Sequence, residues 1–70
     1  MNIKEAVKKA LSDGKCIYRK SEKEAGIDVK VKPTTSSWEC CLLIPPNLEE
    51  IGIRWNPTAD DLMAEDWETD

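Results

Sequence analysis

The chain has 70 residues, a formal net charge of −4 and only four aromatic side chains, so the sequence predicts a single domain, residues 1–70, with a thin core of its own. Its three cysteines lack the even number and the spacing of a disulfide framework, which indicates reduced thiols in a cytoplasmic protein, and the lack of histidine argues against a metal site. No apolar run of about 18 residues occurs, so the sequence predicts no membrane span.

An amphipathic helix is predicted at the N-terminus. Its apolar residues recur at i, i+3, i+4, i+7 and i+8, namely Ile3, Ala6, Val7, Ala10 and Leu11. Asn2 can cap the start of this helix, and Gly14 stands where a left-handed C-terminal cap is expected.

Strands are predicted where apolar residues alternate or run continuously. Residues 15–20 and 27–32 alternate with a period of two, and the polar segment 21–26 between them ends in glycine. Residues 38–44 are almost continuously apolar, which favours a central strand or one whose outer face meets another subunit. Residues 51–55 alternate again. These segments predict a sheet of three or four antiparallel strands.

The C-terminal segment contains a helix start signal. Thr58 can act as the N-cap, and Asp61, three residues later, can reach back in a capping box. This helix can have only two turns, and we expect Trp67 to anchor the segment while residues 68–70 fray. The predicted fold class is α+β: an N-terminal helix, a three- to four-stranded antiparallel sheet and a short C-terminal helix.

Burial and charge both bear on the partners of the chain. Much of the buried area must come from Trp38, Trp55 and Trp67, each of which can remove roughly 150–250 Å² from water. A short chain without a covalent staple often completes its core in another subunit, so we expect a homo-oligomer.

The two halves of the sequence differ in charge. Residues 1–33 hold nine basic against five acidic side chains, a net charge of +4, and residues 34–70 hold one against nine, a net charge of −8. Such halves either meet across a subunit contact or present separate fields at the surface, and the alternative is a solvated surface whose charges fall unevenly. Binding to duplex DNA is disfavoured, because the basic residues are not concentrated on one recognition helix and the net charge is negative.

The groups needed for catalysis are mostly missing. A cysteine nucleophile needs a base or an electropositive setting, and Cys16, near Lys15 and Arg19, comes nearest to one, although small buried cysteines are commonly plain core. Adjacent acids do not share a helix face, so the pair Asp60-Asp61 is better explained by helix capping. Three isolated glycines fit neither a dinucleotide loop nor a P-loop. We therefore expect a protein that is not an enzyme.

Residues 54–58 are the best candidates for binding. Arg54, Trp55, Asn56 and Thr58 offer a guanidinium, an aromatic face, an amide and a hydroxyl where a strand joins a helix N-terminus. Such groups recognise nucleotides by stacking on a base and by donating to phosphate. The alternative is that Trp55 is core and that Thr58 is only a cap.

Both ends of the chain carry motifs of a known family. The C-terminal motif consists of Trp55, Asp61, Leu62, Met63, Ala64, Asp66 and Trp67, and the N-terminal motif of Ile3, Ala6, Ala10, Leu11, Gly14, Arg19 and Lys20. Together they resemble a family of small phage proteins, the second type of Thoeris anti-defence protein, a domain once catalogued as of unknown function and also reported among anti-CRISPR candidates. Where the family usually has Gly-Trp after Arg-Lys, this chain has Ser21-Glu22.

The resemblance implies a function as well as a fold. Family members are α+β proteins that assemble into homotetramers and, in the cytoplasm of the bacterial host, sequester cyclic ADP-ribose-type signals or cyclic nucleotides without chemistry. No cofactor is implied, and we expect this chain to form tetramers or dimers. A polyanionic ligand could be neutralised by basic side chains while an aromatic face takes the base. The predicted ligand-binding residues are Arg19, Lys20, Arg54, Trp55, Asn56, Thr58 and Asp61.

A second function stays open at this point. The acidic end of the chain could mimic the charge of nucleic acid and so bind and block a host protein. The acids concerned are Glu65, Asp66, Glu68 and Asp70. Sequestration predicts a pocket walled by Trp55 and basic residues from more than one subunit, whereas mimicry predicts an open acidic face.

Overall fold

The computed structural model describes residues 1–27, 29–38, 41–44 and 54–70. Its elements are α1 (Ile3–Asp13), β1 (Ile17–Arg19), α2 (Lys20–Glu24), β2 (Lys30–Lys32), β3 (Leu42–Ile44), α3 (Ala59–Met63) and β4 (Trp67–Thr69). The strands form one antiparallel sheet in the order β3-β2-β1-β4. The predicted α+β class, with its N-terminal helix, antiparallel sheet and short C-terminal helix, is confirmed. Within these ranges no helix is long and apolar enough to cross a membrane.

Helix α1 begins and ends where the sequence predicts. The Asn2 side chain accepts a hydrogen bond from the Glu5 amide at 2.9 Å, and the Glu5 carboxylate accepts one from the Asn2 amide at 3.3 Å, which completes a capping box. Gly14 adopts the left-handed conformation, with φ 67°, and its amide donates to the Ala10 carbonyl. Ala6 and Ala10 are fully buried, so α1 presents small side chains to the core.

The last residues of the chain form a strand, so the prediction that residues 68–70 fray was wrong. Strand β4 pairs with β1, with Ile17 opposite Thr69, Tyr18 opposite Glu68 and Arg19 opposite Trp67. The Tyr18 hydroxyl also donates to Glu68 Oε2 at 2.9 Å, and the two residues lie 50 positions apart in sequence. Because these partners are so far apart in sequence, no pattern of neighbouring residues predicts that β4 pairs with β1.

Strand β3 is shorter than the predicted strand over residues 38–44. Among the described residues of that segment, only Leu42–Ile44 form a strand, whereas Trp38 lies in a turn and Cys41 in a bend. Trp38 is 81% exposed. The prediction that this tryptophan supplies buried area is therefore wrong for a single copy of the chain.

The predicted strand over residues 51–55 is described only at its end, and residues 51–53 lie outside the described residues. Arg54 pairs with Leu42 in an isolated antiparallel bridge. The Trp55 amide donates to the Cys41 carbonyl at 2.7 Å. Arg54 and Trp55 therefore lie beside β3.

Helix α2 is not predicted by the sequence, which indicates only a polar connection over residues 21–26. It buries no residue, so it lacks the apolar stripe by which helices are recognised. The Ala25 amide donates to the carbonyls of Ser21 and Glu22, and Gly26, with φ 88°, allows the chain to leave the helix.

The core lies between α1 and one face of the sheet. Its buried residues are Ala6, Ala10, Ile17, Val31 and Trp67, with Trp55 partly buried against them. Trp67 is 2% exposed, which confirms its predicted role as an anchor.

The basic and acidic halves of the sequence meet within one chain. Arg19 pairs with Asp61 and Asp66, at 3.4 and 3.1 Å, and Lys30 pairs with Asp70 at 2.9 Å. Each of these ion pairs joins residues 1–33 to residues 34–70. Part of the charge asymmetry is therefore neutralised inside the fold.

Candidate functional site

Arg19 is the centre of the candidate site. It ends β1, and the strand register sets it opposite Trp67 on β4. Its Nε donates to Asp66 Oδ1 at 3.1 Å and its Nη1 to Asp61 Oδ1 at 3.4 Å. About a fifth of its side chain, 21%, remains exposed. Two carboxylates thus hold the guanidinium, and part of the Arg19 side chain stays exposed.

Asp61 joins this arrangement to the start of α3. Its Oδ2 accepts from the Thr58 amide at 2.9 Å, while its own amide donates to the Thr58 hydroxyl at 3.2 Å. This is the predicted capping box. One carboxylate therefore caps α3 through Oδ2 and pairs with Arg19 through Oδ1.

Two tryptophans pack against each other beside Asp61. The rings of Trp55 and Trp67 meet edge to face, with centroids 5.6 Å apart and an angle of 82° between their planes. The indole Nε1 of Trp67 donates to the Asp61 carbonyl at 2.8 Å. Trp55 is half-buried and packs against the core. We call Arg19, Trp55, Asp61, Asp66 and Trp67 the Arg19 cluster.

The structure brings together four of the seven residues predicted for ligand binding: Arg19, Trp55, Thr58 and Asp61. The other three, Lys20, Arg54 and Asn56, are exposed residues adjacent in sequence to members of the Arg19 cluster. No pocket forms among the described residues of a single copy.

Asp66 and Trp67 complete the cluster, although the ligand-binding prediction did not include them. Asp66 lies 47 positions from Arg19 in sequence. Spacing along the chain could not relate the two residues. The charge difference between the two halves of the sequence is a signal, but it does not indicate which residues pair.

The acids proposed for charge mimicry are largely occupied within the fold. Asp66 pairs with Arg19, Glu68 accepts from Tyr18, and Asp70 accepts from Lys30 at 2.9 Å and from the Cys16 amide at 3.0 Å. Only Glu65 of the four is an exposed side chain without a hydrogen bond of this kind in the described part of the chain. This arrangement counts against an open acidic face.

The described thiols and acids do not form a reactive or metal-binding arrangement. Cys16 and Cys41 are free, half-buried thiols. Burial, and then the Asp70 carboxylate, raise the pKa of the Cys16 thiol, which disfavours the nucleophilic thiolate. In the described ranges, no three cysteine or acidic side chains form a group that could hold a metal ion.

Asp66 gives the Arg19 cluster a predicted pH dependence. Hydrogen bonds from Ser21, and then from Arg19, hold the pKa of Asp66 well below its usual range. The unfolded chain therefore binds more protons, so the stabilisation is present above the unfolded pKa of about 3.9 and is lost as pH falls toward the folded value. We expect the free energy of unfolding to fall between about pH 5 and pH 2, and to fall less steeply in Asp66→Asn.

Urea unfolding followed by tryptophan fluorescence at several pH values tests this expectation. Glu65→Gln removes a neighbouring exposed carboxylate and is the matched control, expected to follow the wild-type profile. Asp70, whose pKa is also lowered, by its hydrogen bond from Lys30, leaves some acid dependence in every variant. Parallel profiles for wild type and Asp66→Asn would contradict the role of Asp66.

Comparisons with known proteins cover almost the whole chain. A model of the Tad2-like family, described as the Thoeris anti-defense 2-like domain, matches residues 1–69. No curated protein and no solved structure matches. The resemblance seen in the motifs at both ends is confirmed by this match.

Proposed function

The chain belongs to the Tad2-like family of Thoeris anti-defense 2-like domains, and from that membership we propose that it sequesters cyclic ADP-ribose-type or cyclic nucleotide immune signals without chemical change. It would act in the cytoplasm of the bacterial host cell, so that the immune effector that responds to the signal stays inactive. Sequestration requires affinity and no reacting group. The raised pKa of the Cys16 thiol is compatible with this requirement.

The observation that carries the proposal is a half-buried tryptophan, Trp55, whose ring contacts Trp67, together with two arginines placed near this pair by sequence and by strand register. Trp55 lies against buried Trp67, which holds its ring in place, and Arg54 precedes it in an exposed position. Arg19, on β1, is the register partner of Trp67 on the adjacent strand β4. Stacking of a base on an aromatic ring contributes about 1–3 kcal/mol, and guanidinium groups bind phosphate in a bidentate manner. A cyclic nucleotide needs both kinds of contact.

The proposal assigns the ligand to a site between copies of the chain. The described part of a single copy offers a surface without a pocket, whereas small ligands bind in concave sites. Trp38 and Met63 are large apolar side chains that are 81% and 70% exposed in a single copy. A dimer or tetramer would cover such residues and could bring basic side chains of two copies together around Trp55.

Calorimetric titration with cyclic ADP-ribose isomers and cyclic dinucleotides tests the proposal. Trp55→Ala should weaken the affinity about 5- to 150-fold, which corresponds to the loss of one stacked base. Trp55→Phe keeps an aromatic face and is the matched control, with a smaller loss. All titrations are made well below the melting temperature, because Trp55 also contacts the core, and light scattering on the same samples should give the mass of a dimer or tetramer.

The fate of the ligand separates sequestration from catalysis. After prolonged incubation, denaturing the protein should release the bound nucleotide intact, as chromatography and mass spectrometry can establish. A wild-type protein that binds none of these nucleotides, or that converts one into a product, would contradict the proposal. Equal affinities of wild type and Trp55→Ala would contradict the role of Trp55.

A further inference from the structure

Asp66 contacts three consecutive residues at the point where β1 gives way to α2. Its Oδ1 accepts from Arg19 Nε at 3.1 Å, and its Oδ2 accepts from the Ser21 amide at 3.0 Å. Its backbone carbonyl accepts from the Lys20 amide, also at 3.0 Å. One residue near the end of the chain thus holds both basic residues that we assign to ligand binding on β1 and α2.

Helix α2 has no cap of its own. Its N-cap position is Arg19, whose side chain makes no capping hydrogen bond. The helix has five residues, buries none of them, and is far too short to be stable alone. The Asp66 carboxylate supplies the missing acceptor at the first turn, where negative charge is also favoured by the helix dipole.

The Arg19 guanidinium takes its orientation from the same carboxylate. The bond to Asp66 is shorter than that to Asp61, 3.1 against 3.4 Å, and Asp61 is in addition committed to the Thr58 amide. The described bonds of Arg19 use Nε and Nη1. Nη2 takes part in neither of these hydrogen bonds, so this is the end of the guanidinium that would meet an anion.

We infer that Asp66 is a positioning residue, which holds Arg19 and the first turn of α2 so that Arg19 and Lys20 face an anionic ligand together; this inference rests on the proposed function. The ion pair itself is partly exposed, with 21% and 29% of the two side chains accessible. Such pairs contribute little to stability. The Arg19–Asp66 pair by itself therefore adds little stability, and the acid-dependent stability of Asp66 comes mainly from its hydrogen bonds with Ser21. The positioning role concerns the geometry that Asp66 gives to the basic residues.

Amide hydrogen exchange by NMR tests the positioning without any ligand. In Asp66→Asn, the Ala25 and Gly26 amides, which close α2, should exchange at least tenfold faster than in wild type, and the Arg19 Nε–H signal should move toward that of a free guanidinium. Asn2→Ala is the matched control, because it removes the N-terminal cap of α1 and leaves the Asp66 contacts with α2 in place. It should leave the α2 amides and the Arg19 signal unchanged.

Titration with cyclic ADP-ribose isomers tests the consequence for binding. Asp66→Asn should weaken the affinity of the folded protein about tenfold or more, whereas Asn2→Ala should lower only the melting temperature. In an Arg19→Ala background the further loss caused by Asp66→Asn should be smaller, since residues that act as a unit are not additive.

The outcomes separate the inference from the proposed function. Unchanged exchange in α2 and an unchanged Arg19 signal in Asp66→Asn would overturn the positioning role, and so would a loosened α2 with wild-type affinity. A wild-type protein that binds no cyclic ADP-ribose isomer and no cyclic dinucleotide would overturn the proposed function, whatever Asp66→Asn does to α2.

Discussion

Trp67→Ala is expected to lower the free energy of unfolding by about 3–5 kcal/mol, the range for removing a buried tryptophan. The side chain is 2% exposed and lies in the core between α1 and the sheet. Its loss also leaves the Asp61 carbonyl without the indole donor and the Trp55 ring without its edge-to-face contact. A chain of 70 residues has a total stability of roughly 4–10 kcal/mol, so this variant should be close to unfolding at 25 °C.

Urea unfolding followed by circular dichroism measures the loss without relying on tryptophan emission. Trp38→Ala is the matched control: it removes the same side chain from a site that is 81% exposed, and the cost should stay within about 0.5 kcal/mol. Both are measured at the same low protein concentration, so that contacts between copies do not contribute. A Trp67→Ala midpoint equal to that of Trp38→Ala would show that the core does not depend on Trp67.

The parts of the fold that local signals specify were predicted correctly. The Asn2 cap, the Thr58 capping box and the left-handed Gly14 each need only a few consecutive residues, and all three are found at the predicted positions. The caps at helix ends depend on residues that are close in sequence, so local patterns can predict them.

The parts that depend on distant residues were missed. Helix α2 receives its cap from Asp66, and β4 pairs with β1 across nearly the whole sequence. No pattern within residues 20–24 or 67–70 indicates either partner. Propensity and periodicity report on neighbours in sequence, whereas these elements exist because of neighbours in space.

The candidate site follows the same division. The segment containing Arg54, Trp55 and Thr58 was predicted because its residue types are those of nucleotide sites. That Arg19 joins it through Trp67 and Asp61 could not be predicted, since the strand register that brings them together depends on β4. Strand β4, two of whose three residues were predicted to fray, thus sets the register that pairs Arg19 with Trp67.

After Trp67, Ile17 is the residue on which the fold most depends, and the same strand register explains why. Ile17 is opposite Val31 on one side and opposite Thr69 on the other, and it is fully buried. Across the core lie Ala6 and Ala10, whose side chains are too short to fill a space vacated by Ile17. The surroundings therefore cannot easily close a cavity at this position.

Ile17→Ala should consequently cost about 2–5 kcal/mol, toward the upper part of that range, and Ile17→Val about 0.5–1.5 kcal/mol. Ile27→Ala, at a site that is 51% exposed, is the matched control and should cost much less. Urea unfolding monitored by the emission of the three tryptophans gives all three values at one protein concentration.

If Ile17→Ala cost no more than Ile17→Val, α1 would have to move onto the sheet to fill the space. Because α1 also packs against β4, such a movement should change the Trp67 environment, and an unchanged emission maximum in the folded variant would contradict it.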